Sequence, residues 1–356
     1  MTVTLSLDAM GGDNAPSMTM IGANLALEKY PDLTYVIFGN SDAKAIWQSL
    51  HPLCDRSEFT ITEDVVSNNE KPSIALRSGR NSSMRKAIDA VKLGKADAVV
   101  SAGNTGAYMA MSKFVFNTLS GIDRPALPAV VPSLKEDVLA LDFGANLESS
   151  VASLVQNAVM GEALYAALTG KKLPSVGILN IGEEEQKGKP ELKETASILK
   201  ELHDFNFYGF VEGDDLSKGT VDVVVTDGFT GNVTLKTIEG TAKLITGMLR
   251  ESISNSLLGK IGAIIAKRAF ADLRRKSDPR HYNGAVFLGL RQLAVKSHGG
   301  TDEYGFCNAI CVAMKMLNQN FMEHIQSRIN NLILNKTPNK NEIDGLNNQS
   351  KSGVSV

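Results

Sequence analysis

Short apolar runs that close in a glycine turn, each leading into a helix-like run, recur along the whole chain. The strand-like runs fall at 3–8, 34–38, 59–62, 97–101, 138–142, 175–181, 206–211 and 221–226. Helix-like runs follow most of them, at 16–29, 41–50, 81–93, 105–118, 149–169, 190–203 and 230–250. Short Val/Ile/Leu-rich strands between longer helices predict an α/β fold, with a mostly parallel sheet covered by helices on both faces. Pro16 suits the first turn of a helix and Ser41 suits an N-cap. No sequence repeats at a fixed period; what recurs is the strand–turn–helix unit.

Five of the turns carry the polar residues that make a turn chemically interesting. They are Gly11-Gly12-Asp13-Asn14, Gly103-Asn104-Thr105-Gly106, Gly144-Ala145-Asn146, Gly182 to Gly188, and Asp227-Gly228-Phe229-Thr230-Gly231-Asn232. A single turn of this kind is equally well a helix cap or a tight connection. Five in one chain are different, because a parallel sheet puts them all at its carboxyl edge, around one cleft. Backbone N–H groups at such turns and helix starts point outward and suit an anion.

Several function classes are disfavoured. No turn is a full G-x-G-x-x-G, and neither a phosphate-binding G-x-x-x-x-G-K-[ST] nor a G-x-S-x-G elbow is present. Lys and Arg number 37 against 39 Asp and Glu, a net charge of -2, so no overall imbalance points to nucleic acid. Cys54, Cys307 and Cys311 are too few for a disulfide framework and fit a reducing compartment. Cys307 and Cys311, four apart, read as structural thiols rather than half a metal site, and no metal or cofactor is expected. No signal peptide is visible at the start, and no uncharged apolar run approaches the roughly 20 residues of a membrane span. With 356 residues and 43% apolar content, the chain can bury a large core.

Glu183-Glu184-Glu185-Gln186-Lys187-Gly188 admits two readings on residue chemistry alone. One is a solvated charged loop. In the other, Lys187 supplies a point charge for phosphate or for a developing oxyanion.

Two regions leave the strand–helix rhythm. Between about 250 and 283 a long helical stretch has no strand before it. Leu257, Leu258, Ile261, Ile264 and Ile265 share one face, while Lys260, Lys267 and Arg274 fall on another. Eight bases, Arg250, Lys260, Lys267, Arg268, Arg274, Arg275, Lys276 and Arg280, face three acids there. Such a segment is an ordinary surface helix with its apolar stripe in the core, or else a basic amphipathic helix for an anionic membrane or an acidic protein. Further on, Ala309, Ala313, Met316, Phe321, Ile325, Ile329 and Leu332 are spaced for one face of a helix over 308–333. The expected organisation is a single α/β catalytic unit over 1–334 with a helical protrusion at about 250–283. A polar tail, 335–356, is expected to stay disordered.

Taken in order, these motifs resemble the PlsX-type phosphate acyltransferases. The likeness is carried by Asp8-Ala9-Met10-Gly11-Gly12-Asp13-Asn14-Ala15-Pro16, Ser101 to Ala107, Asp142-Phe143-Gly144-Ala145-Asn146, Asn180 to Gly188 and Thr226 to Val233, and runs from residue 3 to about 330. One departure is visible. The family's late segment usually reads Tyr-Gly-Gly-Ala-Pro-Leu-Leu-Gly before a His-Gly; here it is Tyr282-Asn283-Gly284-Ala285-Val286-Phe287-Leu288-Gly289, with His298-Gly299 kept.

The resemblance implies a homodimeric fold akin to the isocitrate/isopropylmalate dehydrogenases. It implies transfer of a long fatty acyl group from acyl carrier protein to inorganic phosphate, in bacterial phospholipid synthesis. Lys187 and Asn232 are then expected at the reacting centre. Gly11, Gly12, Asp13, Asn14, Asn104, Thr105, Gly106, Asp142, Asn146, Asp227, Thr230, Gly231 and His298 are expected to bind substrate. Leu257, Leu258, Ile261, Ile264, Ile265, Lys260, Lys267 and Arg268 would meet an anionic membrane surface or a membrane glycerol-3-phosphate acyltransferase, the enzyme staying cytoplasmic and peripheral. Three other classes remain: a phosphotransacetylase using acyl-CoA, a metal- and nicotinamide-dependent decarboxylating dehydrogenase, and a non-catalytic membrane scaffold.

Overall fold

The computed structural model describes residues 2–276 and 278–332, so the tail expected to be disordered lies outside the described residues. Two sheets form instead of one. The first contains β1 (Val3–Asp8), β2 (Leu33–Gly39), β3 (Ser57–Ile61) and β4 (Ala98–Ser101). The chain then builds the second from β5 (Ala129–Val131), β6 (Val138–Leu141), β7 (Ser175–Leu179), β8 (Asn206–Val211) and β9 (Val223–Val225). It finally returns to the first with β10 (Ala285–Val286) and β11 (Leu293–Lys296). The orders are β10-β11-β4-β1-β2-β3 and β5-β6-β9-β7-β8. All pairings are parallel except β10 with β11 and β5 with β6.

The helices before β9 are α1 (Ser17–Lys29), α2 (Ser41–Ser49), α3 (His51–Asp55), α4 (Pro72–Ser78), α5 (Ser83–Lys92), α6 (Thr105–Phe116), α7 (Val151–Thr169), α8 (Pro190–Lys200) and α9 (Gly213–Lys218). The remainder are α10 (Gly228–Ser254), α11 (Leu257–Ile265), α12 (Lys267–Lys276), α13 (Glu303–Asn318) and α14 (Phe321–Leu332). Asn40 rather than Ser41 caps α2, its side chain accepting from Ala43 N, and Pro16 caps α1 from just outside it.

One apolar cluster runs through both sheets, from Leu5 and Leu7 to Leu139, Leu141 and Val223. Helix α7 lies inside it. By length and composition α7 would suit a membrane, yet most of it is buried within the protein, which is how a core helix reads. Its one carboxylate, Glu162, is almost wholly buried and takes two hydrogen bonds from Arg328 of α14.

Two helical expectations change in detail. The predicted helix over 308–333 is two, broken where Asn320 takes a positive φ of 49°. Its apolar positions nevertheless all face the core. The 250–283 stretch is also interrupted, with Ser256 capping α11 after a break at Asn255. Its apolar stripe is not in the core: Leu257, Leu258, Ile264 and Ile265 are each more than 70% exposed. The reading of an ordinary surface helix is therefore excluded for α11. The side chains of Arg274, Arg275 and Lys276 lie outside the described residues.

Candidate active site

The two sheets send their glycine turns toward each other. A cleft of 340 Å³ has Thr105 and Gly106, at the start of α6, on one wall and Gly144, Ala145 and Asn146, after β6, on the other. Two cations missed by the sequence reading, Lys113 and Arg124, also line it. The anticipated single carboxyl edge is thus a cleft between two carboxyl edges, and the five turns divide between its sides.

On the second-sheet side, Asp142 organises the wall. It is fully buried, and its carboxylate accepts from Ala145 N at 2.9 Å, from Asn146 N at 2.8 Å and from Asn146 Nδ2 at 2.8 Å. Burial pushes its pKa up, and these bonds oppose the shift. Asn146 also donates to Pro125 O. These side chains shape the turn and are committed to it. Gly231 lies against the same turn: a methyl group there would collide with Asp142 O, so only glycine lets α10 approach so closely. Asp227 caps α10, accepting from Thr230 N at 2.8 Å and from Thr230 Oγ1 at 3.0 Å.

Asn232, one turn into α10, is different. It is exposed, and its side chain has no hydrogen-bond partner among the described residues. Its Cβ lies 3.5 Å from where a methyl group on Gly144 would sit, which places it beside the cleft wall. Lys187 lies on the 182–188 loop after β7. Its Nζ is 2.8 Å from Glu184, and that partner raises its pKa, so it is a cation at neutral pH. Asn180, buried at the end of β7, ties the loop shut by donating to Gly182 O at 3.1 Å and Lys187 O at 3.2 Å. The loop meets the α10 start through Lys189, 3.6 Å from Asp227. The loop that carries Lys187 is thus tied to the cap of the helix that carries Asn232.

On the first-sheet side, Gly12 has a φ of 106°, a left-handed conformation that favours glycine. Asp13 N donates to Gly299 O at 2.8 Å and Asn14 Nδ2 to Thr301 O at 3.1 Å, joining the turn after β1 to the turn after β11. Asp13 also accepts from Asn68. Asn104 caps α6 and donates to the carbonyls of Ser67, Asn68 and Glu70. Its side chain is therefore spent on holding the 67–70 loop. His298 Nδ1 accepts from Gly300 N at 3.1 Å. Partial burial, then Lys296, lowers the His298 pKa, while Glu239 opposes. Because Glu239 and Lys236 belong to α10, that helix reaches from the second-sheet turns toward the first-sheet ones.

Beneath the first-sheet turns is a polar cluster that the sequence reading did not find. Asp8, fully buried, accepts from Ser83 Oγ and Ser101 Oγ, each at 2.7 Å. Lys296, 7% exposed, donates to Ala102 O at 3.3 Å and to Ser297 O. Asn283, the residue that departs from the usual glycine, donates to Ser297 Oγ and Gly305 O and accepts from His298 N. The available signal was the apolar run Leu293–Val295 ending at Lys296, a strand too short to stand out.

A family model described as "Fatty acid synthesis protein" matches residues 3–324. The phosphate acyltransferase of Rhodospirillum centenum is 50% identical over 333 residues, covering 91% of this chain and 92% of that protein. The chain belongs to this family. It is an acyltransferase. The family's phosphate acyltransferase of Paramagnetospirillum magneticum is 49% identical, covering 93% and 95% of the two chains. The fold is also that of a phosphotransacetylase from Streptococcus pyogenes, with a TM-score of 0.60 at 15% identity over 90% of this chain and 94% of that one. EutD phosphotransacetylase from Staphylococcus aureus gives 0.54 at 16% identity, over 91% and 94%.

Proposed function

We propose that this family member transfers a long-chain acyl group from acyl carrier protein to inorganic phosphate, releasing acyl phosphate and the free carrier thiol. The observation that carries the reading is Asn232, with its amide free beside the cleft wall, on a helix whose cap is joined to the Lys187 loop through Lys189. A phosphate oxygen attacks the thioester carbonyl carbon, the C–O bond forms, and negative charge gathers on the carbonyl oxygen. When that intermediate collapses, the C–S bond breaks and the sulfur takes up the proton that hydrogen phosphate gives up. No enzyme nucleophile is needed, so the chain supplies position and charge. Lys187 holds phosphate and offsets the developing oxyanion. Asn232 donates an N–H to the phosphate or carbonyl oxygen. The turns at Gly11–Asn14 and Asn104–Gly106, with His298, line the acceptor and pantetheine path; Asp142, Asn146, Asp227, Thr230 and Gly231 keep the opposite wall in shape.

The same reading covers partners and location. The enzyme works as a homodimer on the cytoplasmic side of a membrane, feeding a membrane glycerol-3-phosphate acyltransferase, and its kinship extends to the isocitrate/isopropylmalate dehydrogenases. Leu244, Ile245, Met248 and Leu249 of α10 are exposed, as a face for a second copy would be. Exposed α11, with Lys260 and nearby Lys267 and Arg268, fits an anionic lipid surface. Wild-type protein is expected to float with anionic vesicles, and Leu258→Glu with Ile261→Glu is expected to abolish flotation. Undiminished flotation of that double variant removes the lipid role.

The deciding assay offers palmitoyl-acyl carrier protein and palmitoyl-CoA in parallel with inorganic phosphate, trapping acyl phosphate as the hydroxamate. Carrier-dependent product is the expected result. Product from the CoA ester alone moves the chain to the phosphotransacetylase class. No product from either donor overturns the reading.

A further inference from the structure

We propose that Lys296 is a positioning residue for phosphate: its buried ammonium clamps the first-sheet turns together and makes that side of the cleft receptive to an anion. The proposal rests on the acyl-to-phosphate reading above for its activity readout, though not for its binding readout.

The geometry is that of a clamp. Lys296 is the last residue of β11, and its Nζ donates to two carbonyls, Ala102 O at 3.3 Å and Ser297 O. Each carbonyl lies immediately before a turn. Ala102 precedes Gly103-Asn104-Thr105, which opens α6 on the cleft wall. Ser297 precedes His298-Gly299, and Gly299 O receives Asp13 N from the turn after β1. The ammonium thus ties two turns directly, with Ala102 194 residues from Lys296, and the turn after β1 joins them through Asp13 N. The N–H groups of the two accepting peptides are already bonded, Gly103 N to Ser101 Oγ and His298 N to Asn283 Oδ1, so what the cluster offers an anion is the charge of the ammonium.

A buried cation is costly unless something uses it. The fully buried Asp8 and the nearby Asp13 favour the charge but do not ion-pair with it, since Asp8 already receives two serine hydroxyls and Met10 N. The other titratable groups around this cluster are His298 in the adjoining turn and Tyr108 of α6, whose phenol donates to Val99 O. Lys236 and Glu239 of α10 face His298 from the far side. Burial lowers the Lys296 pKa to about 8, so it carries its charge at neutral pH and loses it in mildly alkaline solution. Above that pH the positive charge beneath the first-sheet wall is lost, while the neutral amine can still donate to both carbonyls.

The test measures KM for inorganic phosphate and kcat from pH 6.5 to 10 for the wild type, Lys296→Met and Lys296→Arg, with melting curves on each. Phosphate binding is followed by calorimetry at pH 7 and pH 9 in parallel. In the wild type, KM for phosphate should rise about tenfold as pH passes 8, with kcat changing much less. Lys296→Met should show the high KM at every pH, and Lys296→Arg should remove the alkaline rise. A folded Lys296→Met with the wild-type KM, or a wild-type KM that is flat through pH 8, overturns the proposal. If neither variant folds, the wild-type pH profile decides it. If the wild type turns over no donor, the acyl-transfer reading has failed. Calorimetry then still decides the Lys296 role, because equal phosphate affinity at pH 7 and pH 9 refutes it.

Discussion

Replacing Lys187 by alanine should lower kcat about 100–1000-fold while leaving the melting temperature unchanged. The two halves of this expectation have different causes. Lys187 is about half exposed, and its pairing with Glu184 is a solvent-screened contact that adds little to stability. Its loop is held by Asn180 through backbone carbonyls, so removing the lysine side chain leaves the loop closed. Catalysis is another matter, because the reading gives Lys187 both the bound phosphate and the charge that grows on the thioester oxygen; the first role appears in KM for phosphate and the second in kcat. Lys187→Arg should recover only part of the rate, since a planar fork replaces a point charge. Steady-state kinetics with both substrates saturating checks this. A kcat for the alanine variant within about threefold of wild type would remove Lys187 from the reacting centre.

Arg328→Ala should cost about 3–5 kcal/mol of folding stability without touching the cleft. Glu162 sits in the middle of core helix α7 with its side chain 2% exposed. Arg328 reaches it with two bonds, Nε to Oε2 at 3.0 Å and Nη2 to Oε1 at 2.7 Å, and Nη2 also donates to Asp204 O at 2.9 Å. Truncating the arginine strands a carboxylate inside the core and frees a backbone carbonyl. Replacing both partners by apolar residues, Glu162→Leu with Arg328→Leu, should recover much of the loss, because the cost lies in the unpaired charge. Urea denaturation of the three proteins measures it. A loss below about 1 kcal/mol for Arg328→Ala would mean that water reaches Glu162 in solution.

The pair also shows how far the sequence could be read. That Phe321, Ile325, Ile329 and Leu332 form one buried face was legible, because helical spacing is local information. That Arg328, on the same helix, would find Glu162 across 166 residues was not. The same holds in the site. The glycine turns after β1, β4, β6, β7 and β9 could be placed from runs of a few residues, whereas the capping of α10 by Asp227, expected to bind substrate, came from the structure. The division of those turns between two sheets could not, because the parallel strands of both sheets have the same Val/Ile/Leu composition. The strands that mark the division, β5 with three residues and β10 with two, are too short to carry a pattern.

The sequence by itself determined the α/β alternation, the chemistry available at the turns and, through ordered motifs, the family. It also left open whether the apolar stripe at Leu257–Ile265 was core or surface, since periodicity reports that a face exists and not what covers it. The tertiary structure decided that this stripe is exposed, that the cleft lies between two carboxyl edges, and that Asn104 and Asp142 are committed to loop and turn while Asn232 is free. It alone brought Lys296 beneath the first-sheet turns. The physical reason is common to all of these. Hydrogen-bond commitment, burial and the shift of a pKa depend on neighbours tens to hundreds of residues away, and a linear pattern encodes only the neighbours a strand or helix supplies itself.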